Sequence, residues 1–176
     1  MLDIFENEIS LNGEKIIKYR KKYIEILKEK VPIIYEGLSS GKEKLEIEYF
    51  CVFGENDLKE ELLKSRKEDM FTGVTSVGPH RDDLIFKLNG IDARSYGSQG
   101  QQRSIAISLK LSQAEVIKEI TGEYPVCLLD DVMSELDKNR QNFVLNHTKE
   151  MQTFLSCCDY TNIENLKNGK IFNVKG

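Results

Sequence analysis

No stretch of this 176-residue chain approaches the roughly 20 consecutive apolar residues of a membrane-spanning helix, and its first residues, Met-Leu-Asp-Ile-Phe-Glu, are acidic where a secretory leader would be basic. Positive charge is not in excess either. The 25 Lys and Arg face 29 Asp and Glu, leaving a formal net charge of -4 and a pI of about 5.4, so any nucleic-acid contact would need a local patch rather than a global field. The four cysteines, Cys51, Cys127, Cys157 and Cys158, form no Cys-x-x-Cys pair and no zinc spacing, which suits a reducing, cytosolic setting. What is present is a chain 40% hydrophobic, enough for one domain or for one domain with an appendage.

Across residues 2–31, Leu2, Phe5, Ile9, Ile16, Tyr19, Tyr23 and Ile26 recur at helical spacing, with Ile17, Ile24 and Val31 beside them. This predicts one long helix or two in line, weakest at Gly13, interrupted or restarted at Pro32 and followed by a loop over 37–41. Lys15, Lys18, Arg20, Lys21 and Lys22, with tyrosines interleaved, offer a face for a phosphate backbone. Glu14, Glu25 and Glu29 dilute it, so a solvated helix face is the competing reading.

Leu45, Ile47, Tyr49 and Cys51 alternate as in a half-buried strand. Asp57, with Glu60 three residues on, marks the start of a helix whose apolar side is Leu58, Leu62 and Leu63. In Gly78-Pro79-His80-Arg81-Asp82-Asp83, one His and two adjacent carboxylates fall short of a metal site. A turn in which Arg81 and the aspartates bond backbone or each other is the stronger reading, before a strand at 84–88. Asn89-Gly90 then predicts a hairpin that delivers the chain directly to Ser98.

The stretch Tyr96-Gly97-Ser98-Gln99-Gly100-Gln101-Gln102-Arg103 reads as a phosphate-facing helix start, with small residues, a hydroxyl and unpaired amides at a positive dipole end. The helix that opens near Gln101 has Ile105, Leu109 and Val116 on one side and Ile107, Leu111 and Ala114 on another, which predicts burial between layers. Gly122 ends it. Residues 125–129, Pro-Val-Cys-Leu-Leu, predict a central strand covered on both faces. Its carboxyl end carries Asp130-Asp131, where α/β sheets place their ligands. Alternation turns Asp130 toward a magnesium ion and Asp131 toward a water in front of a phosphate. Asp137 caps a helix over 138–148, on which His147 shares a face with Phe143 and Val144 and reads as half-buried rather than catalytic. Strands at 153–156, ending in Cys157-Cys158-Asp159, and at 171–174, after Asn168-Gly169, complete the pattern.

Taken together, Ser98 to Arg103, then Val126-Cys127-Leu128-Leu129-Asp130-Asp131, then Ser134-Glu135-Leu136-Asp137, resemble the signature, Walker B and D-loop series of ABC-type ATPases. Within that group the chain is similar to the RecF family of DNA replication and repair proteins, to which the segment from Gly78 to Leu84 and the run through Gln113 are the more specific pointers. The resemblance is close over 72–159 and looser over the helical arm before it. It implies an α/β fold, the C-terminal half of an ABC-type P-loop NTPase head, with an arm at 1–43, a strand-helix connector at 44–71 and the head half at 72–176. It also implies that Ser98, Gln99, Gly100, Gln101 and Gln102 cap the ATP of a partner subunit. Asp130 would hold Mg2+, Asp131 would orient the attacking water, and Ser134, Glu135, Leu136 and Asp137 would lie across a homodimer formed on ATP binding. DNA at single-strand/double-strand junctions, with Lys18, Arg20, Lys21 and Lys22 as candidate contacts, and recombination mediator proteins of the same pathway are the implied partners. The implied setting is cytoplasmic, with no membrane partner.

One departure stands out: no Gly-x-x-x-x-Gly-Lys-Ser/Thr occurs in the chain, and Gly41-Lys42-Glu43 is not one. Without that loop the β- and γ-phosphates lack a cradle, so the chain is expected to begin inside the arm and to be inactive as an ATPase alone. Cys157-Cys158 stands where many ABC ATPases carry a switch His. Two other readings compete. A phosphoacceptor domain would also place Asp-Asp at a strand end, but Asp159 comes too soon for its second Asp. A non-enzymatic DNA or protein interaction module is the remaining alternative.

Overall fold

Helix α1 (Leu2–Ser39) runs through Pro32 without a break and ends where Ser40 and Gly41 turn left-handed. The computed structural model describes residues 2–54, 57–157 and 169–173, apart from the side chains of Leu2 and Glu135. The expected break at Pro32 and loop from 37 are thus corrected, and packing explains why. An interior proline costs about 3 kcal/mol. Around it Val31, Ile34, Tyr35 and Leu38 are almost fully buried, each contributing roughly 1.5–3 kcal/mol, so burial wins. The two helical glycines are close-approach points. A side chain at Gly37 would overlap the ring of Phe143, and one at Gly13 would lie 2.6 Å from Leu58 Cδ2 and 3.4 Å from Pro79 Cδ.

Of the two apolar series of α1, the one through Ile17, Ile24 and Val31 is buried. Ile17, Ile24, Leu27, Val31, Ile34 and Leu38 face the body, whereas Phe5, Ile9, Ile16, Tyr19, Tyr23, Ile26 and Ile33 are exposed. With Asn12 and Lys30, that exposed series keeps a strict four-three spacing from 5 to 33, a second heptad seam beside the buried one. Nothing among the described residues covers it as a helix would.

Strand β1 (Leu45–Phe50) pairs antiparallel with β2 (Asp83–Leu88), with Leu45 opposite Leu88 and Tyr49 opposite Leu84. Helix α2 (Leu58–Thr72) lies between them in sequence. Asp57 accepts from Glu60 N at 3.0 Å, and Leu58 and Leu62 are buried while Leu63 is exposed. Asn89 and Gly90 take the positive φ values of a tight hairpin turn into β3 (Ile91–Asp92). The hairpin does not reach Ser98 directly. Asp92 caps a single helical turn, α3 (Ala93–Tyr96), first.

Helix α4 (Gln99–Thr121) is buried between layers, as its several apolar faces predicted. Ile105 and Val116 join α1 and the antiparallel sheet, while Ile107 and Leu111 join α1, Leu129, Met133 and Val144 on the other side. Between these sectors Ser104, Ser108 and Ser112 are fully buried, each hydroxyl donating to the carbonyl four residues back at 2.5–2.8 Å. Strand β4 (Cys127–Leu129) pairs parallel with β5 (Thr153–Leu155), and α5 (Lys138–His147) lies between them in sequence. The expectation of a strand covered on both faces fails for one face. Val126, Leu128 (74% exposed) and Phe154 (57% exposed) stand in solvent because no layer lies over them among the described residues. Residues 169–173 form no strand, and Cys158, Asp159, Asn168 and Val174 lie outside the described residues.

Replacing a helical Gly by Ala ordinarily adds up to about 1 kcal/mol. Gly13→Ala is expected to lower stability instead, by roughly 1–3 kcal/mol in urea denaturation, because the new methyl group overpacks Leu58 and Pro79.

Candidate functional site

Ser98 is the N-cap of α4, two residues earlier than the opening expected at Gln101. Its hydroxyl accepts from Gln101 N at 3.3 Å, and Gln101 Oε1 accepts from Ser98 N at 2.7 Å, a complete capping box. Both groups that the sequence suggested for an anion are therefore engaged with each other. Gln102 points the other way, its amide donating to the carbonyls of Ala93, Arg94 and Gly97 at 3.0–3.2 Å and locking α3 to α4. Gly97 is needed for this close turn, since a side chain there would strike the Ala93 carbonyl.

The far end of Gln101 is anchored by a residue the sequence did not single out. Gln101 Nε2 donates to Glu43 Oε1 at 2.5 Å, and the buried Tyr35 hydroxyl donates to Glu43 Oε2 at 2.6 Å. Arg140 of α5 adds charge from the other side, its Nη1 lying 3.3 Å from where a Gly100 side chain would start. The Tyr35 hydrogen bond, then that of Gln101 and the Arg140 charge, hold the Glu43 carboxyl below the ordinary range against a desolvation penalty. Burial and the neighbouring carboxylate push the Tyr35 phenol well up. The arm end, the start of α4 and the start of α5 thus meet at one carboxylate. Only a surface-like charge next to Gly41-Lys42 was visible in the sequence.

Asp130 and Asp131 follow β4 and are both exposed, so neither bears the desolvation cost of a buried carboxylate. Asp131 adopts φ 48, one of three non-glycine residues described with positive φ. Such a conformation is uncommon and persists where neighbours fix it. Here Asp131 N donates to Ser156 Oγ at 3.0 Å, and Ser134 Oγ donates to the Asp131 carbonyl at 3.1 Å. The Ser156 hydroxyl donates in turn to Asp130 Oδ1 at 2.5 Å. The turn Met133–Glu135 is held by buried Gln141 of α5, whose amide donates to the carbonyls of Met133 and Leu136 at 2.8 and 3.0 Å. Asp137 caps α5 through the amides of Asn139 and Arg140, and Ser134 and Asp137 remain exposed. Sequence reasoning missed Ser156 and Gln141, whose roles depend on contacts across the fold.

Among the described residues no cluster of three or more His, Cys, Asp or Glu could hold a metal by itself. That fits magnesium of the nucleotide-bound kind, which takes one or two carboxylates and completes its shell with phosphates and water. Of the two aspartates, Asp130 has one carboxylate oxygen engaged by Ser156, and its Oδ2 accepts no hydrogen bond among the described residues. No hydrogen bond or ion pair among them joins residues 98–102 to Asp130 or Asp131.

At the turn Pro79–Arg81, Arg81 bonds backbone as expected, whereas the two aspartates bond other elements rather than each other. Arg81 donates to the Thr75 carbonyl at 3.0–3.1 Å, and Asp83 pairs with Arg94 at 2.7 Å. Asp82, its side chain 1% exposed, accepts from Tyr49 and from Val52 N, with Arg20 at 3.6 Å. Arg20 also donates to the Pro79 carbonyl, so it staples α1 to the turn rather than standing free. Lys15, Lys18, Lys21 and Lys22 are exposed. His147 is half-buried and lies 3.0 Å from Glu115.

Comparison with known proteins places this geometry. No family model matches the chain. A Clostridium kluyveri protein named DNA replication and repair protein RecF is 44% identical over 172 residues, 95% of this chain and 46% of that protein. Its Clostridium perfringens counterpart is 46% identical over 184 residues, 99% of this chain and 50% of that protein. Among solved structures, one of the recombination mediator protein RecF with ATPrS, in the RecFOR pathway, matches with a TM-score of 0.78 at 41% identity, over 93% of this chain and 46% of that one. One with ATP matches at 0.77 and 40%. The fold is that of an ABC-type P-loop ATPase, of which this chain holds the part bearing the helix that starts at Ser98 and the strand-end aspartates. Within that class it belongs to the RecF family, spanning about half the length of the relatives it matches.

Because folding lowers the Glu43 pKa, its contribution to stability is present above the ordinary glutamate value of 4.5 and is lost as pH falls through the folded value. Glu43→Gln is expected to lower the melting temperature most near neutral pH, and the gap to the parent should narrow on acidification. Thermal melts of both proteins across that range check it.

Proposed function

We propose that this chain is the signature and Walker B half of a RecF-type ATP-driven clamp that acts in DNA replication and recombinational repair. The observation that carries the reading is the co-occurrence of a capped, rigidly anchored signature helix with a strand-end Asp-Asp pair that it does not contact. Such a separation suits a signature that serves the ATP of a second subunit. Ser98 to Gln102 then meet the γ-phosphate of the partner's ATP through the helix start. For Ser98 to do so, its capping interaction with Gln101 gives way to the phosphate. Asp130 would hold a magnesium ion, which would supply positive charge against the phosphates, and Asp131 would orient the attacking water. Ser134 to Asp137 line the homodimer interface.

The missing phosphate loop belongs, on this reading, to the other half of a full-length RecF-like protein. Two bare apolar surfaces support that: the β4–β5 face of Val126, Leu128 and Phe154, and the second heptad seam of α1. A second copy of the chain fits the seam poorly. In an antiparallel pair centred on the seam, flanking Glu8 would face Glu29 and Lys15 would face Lys22. The ATP-bound dimer grips DNA at gap junctions in the cytoplasm and works with mediator proteins that load the recombinase.

The test is to assemble the chain with the other half of the Clostridium perfringens relative. A 1:1 complex with magnesium-dependent ATP turnover is expected, where the chain alone gives none. Leu128→Asp with Phe154→Asp should prevent assembly, and Ser98→Arg should spare ATP binding while abolishing ATP-dependent pairing of two complexes. Turnover by the lone chain, or loss of ATP binding in Ser98→Arg, sinks the reading.

For DNA, the exposed Lys18, Lys21 and Lys22 are the contacts, and Arg20 is expected to matter through the turn instead. Replacing all three lysines with Gln should flatten the slope of log affinity against log salt by up to about 0.9 per lost phosphate contact. An unchanged slope in an otherwise intact complex would favour the interaction-module reading, with proteins as the partners.

A further inference from the structure

We propose that Ser156 is a positioning residue for the Asp130–Asp131 pair, a role that rests on the ATPase reading above. One hydroxyl acts in both directions: it donates to Asp130 Oδ1 at 2.5 Å and accepts from Asp131 N at 3.0 Å. The Ser156 backbone N–H also donates to the Leu129 carbonyl at 3.0 Å, so the end of β5 is tied to the end of β4 on each side of the hydroxyl.

The consequences for the two carboxylates differ. At Asp130 the hydrogen bond occupies Oδ1 and fixes the rotamer, leaving Oδ2 as the oxygen available to a cation. At Asp131 it secures the amide of a residue at φ 48, a backbone state that an exposed aspartate leaves readily when nothing holds it. Loosening this turn would therefore move the group assigned to the attacking water. Ser156 acts only through the two acids, and a hydroxyl is required because alanine could neither donate nor accept.

The experiment has two arms, both using Ser156→Ala and Ser156→Thr. In the assembled complex with the other half of the Clostridium perfringens relative, Ser156→Ala should lower kcat about 10- to 100-fold with KM for ATP within about threefold of the parent. Ser156→Thr, which restores the hydroxyl, should recover most of kcat. In the 176-residue chain alone, amide hydrogen exchange at Asp131 should speed up at least about tenfold in Ser156→Ala and not in Ser156→Thr, with the melting temperature little changed. Unchanged kcat in Ser156→Ala overturns the proposal. So does a fall in kcat that follows a fall in melting temperature and is not rescued by Thr. Should the parent complex show no turnover, the ATPase reading fails, and unchanged Asp131 exchange then overturns the positioning role on its own terms.

Discussion

Helix α4 is buried on two sides, one against α1 and the antiparallel sheet and one against α1 and the layer of β4, with Gln102, Ala106, Lys110 and Ile117 left exposed along its remaining edge, and the rest of the molecule is placed by that burial. A 23-residue helix enclosed by α1, an antiparallel sheet and a parallel strand pair has no freedom to shift along its axis. The stripe of Ser104, Ser108 and Ser112 lies between its two apolar sectors. Their hydroxyls return to the helix's own carbonyls, so they bury no unsatisfied polar group. Small side chains at that position leave room for a close neighbour. Both ends of α4 then inherit its rigidity: Ser98 begins it, and the chain leaving Gly122 enters β4 and reaches Asp130.

Polar contacts turn this apolar scaffold into a site. Glu43 collects Tyr35 from the arm, Gln101 from the start of α4 and the charge of Arg140 from α5, so α4 and α5 share one electrostatic anchor. Gln141 performs the matching task beneath the D-loop, and Asp82 fastens the arm to the antiparallel sheet. Each of these groups is satisfied by partners from other elements.

Local features of the fold were legible wherever a local rule dominates. Asp57, Asp137 and Ser98 cap helices, Asn89-Gly90 turns a hairpin and Gly122 ends α4, because each depends on bonds within a few residues. Pro32 was misread because burial of Val31, Ile34, Tyr35 and Leu38 overrides a local helix breaker. Which face of α1 is buried was not legible for a related reason. Two heptad seams lie side by side, and periodicity alone does not say which one meets the body.

By itself the sequence determined the order of motifs, and with it the family: signature, strand, paired aspartates and D-loop follow one another at spacings that a linear reading detects. It also determined that no phosphate loop lies in this stretch. Tertiary structure alone decided how those motifs are held. The partners that hold them, Glu43 for Gln101 and Ser156 for Asp130 and Asp131, lie 58, 26 and 25 residues away along the chain. A hydrogen bond over such a separation leaves no periodic or compositional trace, because its partners are brought together by the packing of α1, α4 and the two strands and by nothing local.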